Sequence, residues 1–251
     1  MTKVVFGFII VLLIIPAFYI LAETAVTSQE PDLEQITERT RIRQYEVLDE
    51  VGCTICMAET VYRERKKSGE LKKEVLTSRR IYTEGEDKRY DEYLSMSING
   101  KKLSREEMEK EIEDDEDDKN EMKMPLTPEG EGGYDFYLAG NTQFSGEDVW
   151  IVGFRAKKEE DGYVNGKAYI TKSSYDIIYA EASLAKIPRL VRDLKISVTS
   201  MPVGNYWMPE KFEVDLKIKL SFLYYKRITI EETYSEYELN CDTDDSIFER
   251  E

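Results

Sequence analysis

The chain has 251 residues, with 51 Asp and Glu against 35 Lys and Arg for a net charge of -16, and no histidine. A surface this acidic disfavours nucleic acid, whose affinity rests on Lys and Arg at phosphates, and gains nothing from anionic lipid headgroups. The missing histidine removes Ser–His and Cys–His nucleophile pairs and His-ligated zinc or haem, so no enzyme, cofactor or metal site is expected.

In chain order, Lys3 is followed by an apolar run from Val4 to Ile15, then Pro16 and Ala17–Ala22, before the chain turns polar at Glu23. A charged start, a short apolar core and a small residue at its end read as a secretory signal peptide over residues 1–22. The run is also nearly long enough to span a bilayer, which takes about 20 residues, so residues 4–22 are either a cleaved signal or a retained inner-membrane anchor. Both readings place residues 23–251 in the periplasm or otherwise outside the cytoplasm, as one domain large enough for a real core.

Pro31 to about Gln44 carries Leu33 and Ile36, with Tyr45 and Leu48 beyond, on a loose helical stripe. Thr54–Lys66 and Leu71–Thr83 read as strands joined by the hairpin signal Lys67-Ser68-Gly69-Glu70. A third strand, Lys88–Ile98, ends at Asn99-Gly100. Ser104-Arg105-Glu106-Glu107 is a capping box that starts a helix. That helix runs into the acidic residues 113–118, read as a solvated part of a loop reaching to 133, because the spaced ligands of a calcium loop are missing. Val149–Lys157, Gly166–Thr171, Ile177–Leu184, Val191–Met201 and Val214–Tyr224 are further strand candidates. The alternation is clearest from Val214 to Tyr224, with one apolar and one polar face. Ile228, Ile230 and Tyr234 continue as a last strand, with Tyr225-Lys226-Arg227 taken as the turn before it.

Three cysteines are present, Cys53, Cys56 and Cys241. Cys53 and Cys56 have the spacing of a thiol–disulfide motif, but their surroundings read as a strand, where residues three apart point to opposite faces. They are therefore read as packed residues, with a bridge from Cys241 to either one open as a staple between the last strand and an early one. These elements make a mainly β (α+β) domain: a long antiparallel meander, curved, and covered by the N-terminal helix and the mid-chain helix.

Gly166–Lys172 followed by Ser173–Glu181 resembles the signature hairpin of outer-membrane lipoprotein-sorting proteins. Gly204–Lys211 resembles their hairpin in which a bulky pair precedes P-x-K, and Tyr234-Ser235-Glu236-Tyr237 resembles their closing Y-S-x-Y strand. Asn99-Gly100-Lys101 before an acidic helix resembles the family's middle region. The chain thus resembles the LolA/LolB/RseB-like superfamily over residues 150–240, and more loosely over 45–110. Thr171 stands where the family often has Asp, and the acidic insert departs from the compact carriers. The resemblance implies a half-barrel of antiparallel strands with an apolar interior for acyl chains, a fold that serves carriers, outer-membrane receptors and periplasmic regulators alike.

The expected function is binding of lipid or lipoprotein acyl chains outside the cytoplasm by a monomer, in transport of lipoproteins to the outer membrane. Trp207, Leu216, Ile218, Leu220 and Phe222 are the candidate lining residues. The alternative is an anchored interaction or sensor module on the same fold, meeting a membrane-associated protein through Arg63, Arg65, Lys66, Lys67, Lys72 and Lys73.

Overall fold

The computed structural model describes residues 31–85, 88–113, 123–127, 132–219, 225–241 and 245–248. The signal or anchor segment, the acidic residues 114–118 and the candidate residues Leu220 and Phe222 lie outside the described residues.

Helix α1 spans Leu33–Val51, one to two turns beyond the stretch the sequence pattern marks. Its buried side is Ile36, Thr40 and Val51. Thr40 donates its hydroxyl to the Ile36 carbonyl at 2.8 Å, which lets a polar residue sit on that side at no unsatisfied cost. Tyr45 and Leu48 are 38% and 44% exposed and lie away from it. Gly52 ends the helix with φ +61° and an N–H donated to the Leu48 carbonyl at 3.2 Å. This left-handed cap turns the chain directly into the sheet.

Strands β1 (Cys53–Lys66), β2 (Leu71–Glu84) and β3 (Lys88–Ile98) keep within a residue of the bounds their alternation marks. Asn99 and Gly100, at φ +51° and +79°, make the tight turn into β4 (Lys101–Lys102). Both central residues of a type I′ turn need positive φ, and Asn-Gly supplies it. Helix α2, Arg105–Glu113, opens on the capping box: the Ser104 N–H donates to the Glu107 carboxylate at 2.9 Å, and the Glu107 N–H donates to the Ser104 hydroxyl at 3.2 Å. Met108 and Ile112 are its half-buried side chains.

The remaining strands are β5 (Tyr134–Phe144), β6 (Glu147–Ala156), β7 (Val164–Thr171), β8 (Ile177–Leu184), β9 (Val191–Val203), β10 (Tyr206–Lys219) and β11 (Tyr225–Leu239). Strand β5 is not visible in the sequence pattern, because an irregularity between Leu138 and Gly140 breaks its alternation. Strand β10 begins before Val214 for the same reason, with a bulge between Pro209 and Lys211. Tyr225-Lys226-Arg227 is not a turn. These residues are the first of β11, and Lys226 is paired with both Ile218 and Lys66.

All eleven strands form one open antiparallel sheet in the order β4-β3-β2-β1-β11-β10-β9-β8-β7-β6-β5. Two meanders, β1–β4 and β5–β11, join where β1 pairs with β11. The Cys53–Cys241 disulfide closes the same junction across a sequence separation of 188, and Cys56 is buried and free. Ile36 of α1 packs into a cluster with Tyr134, Trp150, Val152, Phe154, Val164, Ala168 and Ile170. A smaller cluster, Cys56, Ala58 and Ile81 with Tyr234 and Tyr237, lies over β1, β2 and β11.

Candidate ligand-binding face

Side chains alternate across a sheet, so the strand registers determine which residues share a face. Starting from Phe154 under α1, the paired residues run Phe136, Phe154, Gly166, Ala182, Ile196, Val214, Ile230, Tyr62, Val75 and Ile98. This is one row across ten strands without a charged residue. The row below it on β9, β10 and β11 continues with Leu194, Leu216 and Ile228.

Cover over this face is uneven. Over β6 and β7 it is closed: Val152, Val164 and Ile170 are 0% exposed and Phe154 is 3% exposed, with Leu33 and Ile36 of α1 packed against that cluster. Over β9, β10, β11, β1 and β2, Leu194, Val214, Leu216, Ile218, Ile228, Ile230, Tyr62 and Val75 are all half-buried. The same face thus passes from a finished core to a partly open apolar surface. From Phe212 to Ile218 this stretch is about 20 Å long at the rise of a strand, enough for a long acyl chain.

Trp207 is paired with Pro202, which lies an even count along β9 from Val198 and Ile196. The structure therefore puts Trp207, Leu216 and Ile218 on this one face, all half-buried. Val214, Ile228, Ile230, Tyr62 and Val75 join them. The alternation of β10 marks Leu216 and Ile218, and Trp207 stands in the Gly204–Lys211 hairpin, but Tyr62 and Val75 enter only through the β1–β11 and β1–β2 pairings.

Polar clusters border the stretch on β1, β2 and β11. At one end, Glu232 accepts from Thr60 at 2.6 Å and pairs with Arg79 at 2.5 Å; Arg79 also pairs with Asp91 at 2.7 Å, and Arg89 pairs with Asp91 at 2.8 Å. Burial, then the adjacent Glu232, pushes the Tyr234 hydroxyl well above its ordinary value. At the other end, Glu64 pairs with Lys72 at 2.7 Å and Lys226 at 2.8 Å. Burial alone would raise its carboxyl, but the two ammonium groups bonded to it hold it below the ordinary value.

Much of the expected docking patch is paired with acids: Arg63 with Glu74 at 2.8 Å, Lys66 with Glu70 at 3.0 Å, and Lys73 with Glu111 at 3.7 Å. Cys53 is oxidised onto Cys241 rather than Cys56, and burial pushes the Cys56 thiol up to about 11. A thiol so weakly ionised is a poor nucleophile at neutral pH. A separate concavity of about 810 Å³ lies at the far ends of β1, β2 and β11, lined by Tyr45, Leu48, Cys53, Glu84 and Cys241 among others, away from the apolar stretch.

In sequence, the chain matches no family model and no curated protein. In structure it is similar to an outer membrane lipoprotein-sorting protein domain from Vibrio parahaemolyticus, at 13% identity and a TM-score of 0.42, covering 86% of this chain and 97% of that one. It is similar to a LolA-superfamily protein from Nitrosomonas europaea, at 13% identity and a TM-score of 0.34, over 86% and 96%. It is also similar to the lipoprotein LppX from Mycobacterium tuberculosis, at 11% identity and a TM-score of 0.30, over 85% and 100%.

Proposed function

We propose that this protein binds lipid or lipoprotein acyl chains outside the cytoplasm, on the half-buried stretch of the apolar sheet face. The observation that carries this reading is the change of burial along one row: Phe154 is 3% exposed under α1, whereas Val214, Ile230 and Tyr62 in the same row are left half-open. Burying one acyl methylene gains about 0.8 kcal/mol, so a chain laid along Leu194, Leu216 and Ile228 is held without any specific polar contact. Trp207, Leu216 and Ile218 are the lining residues, with Leu220 and Phe222 continuing the same alternation in sequence. A protein with this site carries cargo rather than catalyses. Passage of lipoproteins toward an outer membrane is the finer form of the reading.

The test is native mass spectrometry of protein recovered from the exported fraction, before and after organic extraction, with binding of a fluorescent acyl probe measured alongside. An extractable lipid is expected. Leu216→Asp should weaken probe binding at least about tenfold, because it leaves a charge against the acyl chain, while a half-open position costs little stability. Unchanged probe binding in that variant, with no extractable lipid, would sink the reading.

A further inference from the structure

The chain's charge is not spread evenly. Strand pairing brings the ends of β1, β2, β9, β10 and β11 together along one edge of the sheet: Arg65 is opposite Leu71, Lys66 is opposite Lys226, Lys219 is opposite Tyr225 and Ile218 is opposite Val191. The Lys219 N–H also donates to the Leu190 carbonyl at 2.9 Å. The described segments at this edge, 63–74, 187–193, 217–219 and 225–227, hold 12 Lys and Arg against 4 Asp and Glu; seven of these cations are ion-paired, Lys73 and Arg227 to Glu111 and Asp215 from outside the segments, and the edge stays net positive with both acids counted. The rest of the chain holds 23 against 47. Exposed apolar side chains sit among these cations: Leu71 at 41%, Ile187 at 54% and Leu190 at 47%. The apolar stretch also reaches this edge, at Ile218 beside Val191.

We infer that this edge docks on the surface of an anionic lipid bilayer. Cations interleaved with exposed apolar side chains suit a headgroup layer, where charge attracts and the apolar groups enter the acyl boundary. The inference deepens the acyl-binding reading and rests on it for the source of the ligand: the open end of the stretch faces the layer from which a chain is drawn or to which it is delivered. It departs from the expectation drawn from net charge. Segregation leaves a basic edge on an acidic body, and lipid recognition responds to the local field.

The test is flotation of the full chain with vesicles of phosphatidylglycerol and phosphatidylcholine, against vesicles of phosphatidylcholine alone, at low and high salt. Stronger binding to the anionic vesicles is expected, weakened by salt. Lys67→Glu, Arg189→Glu and Lys219→Glu together, one from each segment group, should cut the anionic preference at least about tenfold. If that variant does not fold, the salt response of the native chain decides. Equal binding to both vesicle types, including binding carried by residues 4–22 alone, overturns the inference. A charge preference seen on polyglutamate but not on vesicles assigns the edge to an acidic protein and overturns it too. Acyl-probe binding without vesicles is read on the same samples. Its loss with vesicle docking intact faults the acyl-binding reading, whereas the reverse faults the docking edge.

Discussion

At the residue scale, the informative side chains are charged groups placed where an apolar strand residue would be expected. Glu64 is 6% exposed and accepts from two lysines. Its carboxyl is held below the ordinary value near 4.5 in the fold. The sign follows directly: a group whose folded pKa is depressed contributes stability that is complete above the unfolded value and lost as pH falls through the folded one. Stability should therefore hold from neutral pH down to about 5 and fall below about 4.5. Glu64→Gln should cost about 2 kcal/mol at pH 7 and flatten the acid limb, as read by denaturant titration across pH. An unchanged acid limb would remove Glu64 from this role. The Arg79–Glu232–Asp91 group is the counterpart at the other end. Its partners come from three strands, so no sequence spacing announces it.

At the element scale, α1 is what makes the apolar face uneven. Ile36 is 0% exposed at the centre of the larger cluster. Ile36→Ala should cost about 3 kcal/mol by thermal or denaturant unfolding. It should leave acyl-probe affinity within about threefold, because the proposed stretch lies on other strands. A large loss of affinity with little loss of stability would mean that the helix itself lines the site. Strands β1, β2, β3 and β8 are legible from their β-branched and aromatic residues, and the first three also from the turn residues Lys67–Glu70 and Asn99-Gly100 between or after them, even though the register slips at Ile55/Met57, Glu64/Arg65 and Ser78/Arg79. Strand β5 and the first half of β10 were not, because bulges at Leu138/Gly140 and Pro209/Lys211 shift the alternation in mid-strand. The pattern stops near Gln44 while the helix continues to Val51, because the apolar residues beyond it, Tyr45 and Leu48, lie off the side that carries Ile36 and Thr40.

At the scale of the whole molecule, pairing between β1 and β11 turns a list of strands into a surface. Leu216 and Ile218 are marked by the alternation around them and Trp207 by its place in the Gly204–Lys211 hairpin, whereas Tyr62 and Val75 are visible only once Tyr62 is set in register with Ile230, 168 residues on. The same pairing gathers the basic segments at one edge of an acidic chain, which no average over composition can reveal. The Cys53–Cys241 bridge fixes that junction covalently, and closing so long a loop is worth about 5 kcal/mol in the chain-entropy account.

The central claim is where the acyl chain lies. The most direct measurement is crosslinking with a photoactivatable fatty acid, followed by peptide mapping of the labelled sites. Labels are expected on β9, β10 and β11, at Leu194, Val214, Leu216, Ile218, Ile228 and Ile230, and to be lost when unlabelled fatty acid competes. Labels confined to the opposite face of the sheet, at Tyr169 and Tyr179, or to the exposed side of α1, at Ile42 and Leu48, would contradict the account.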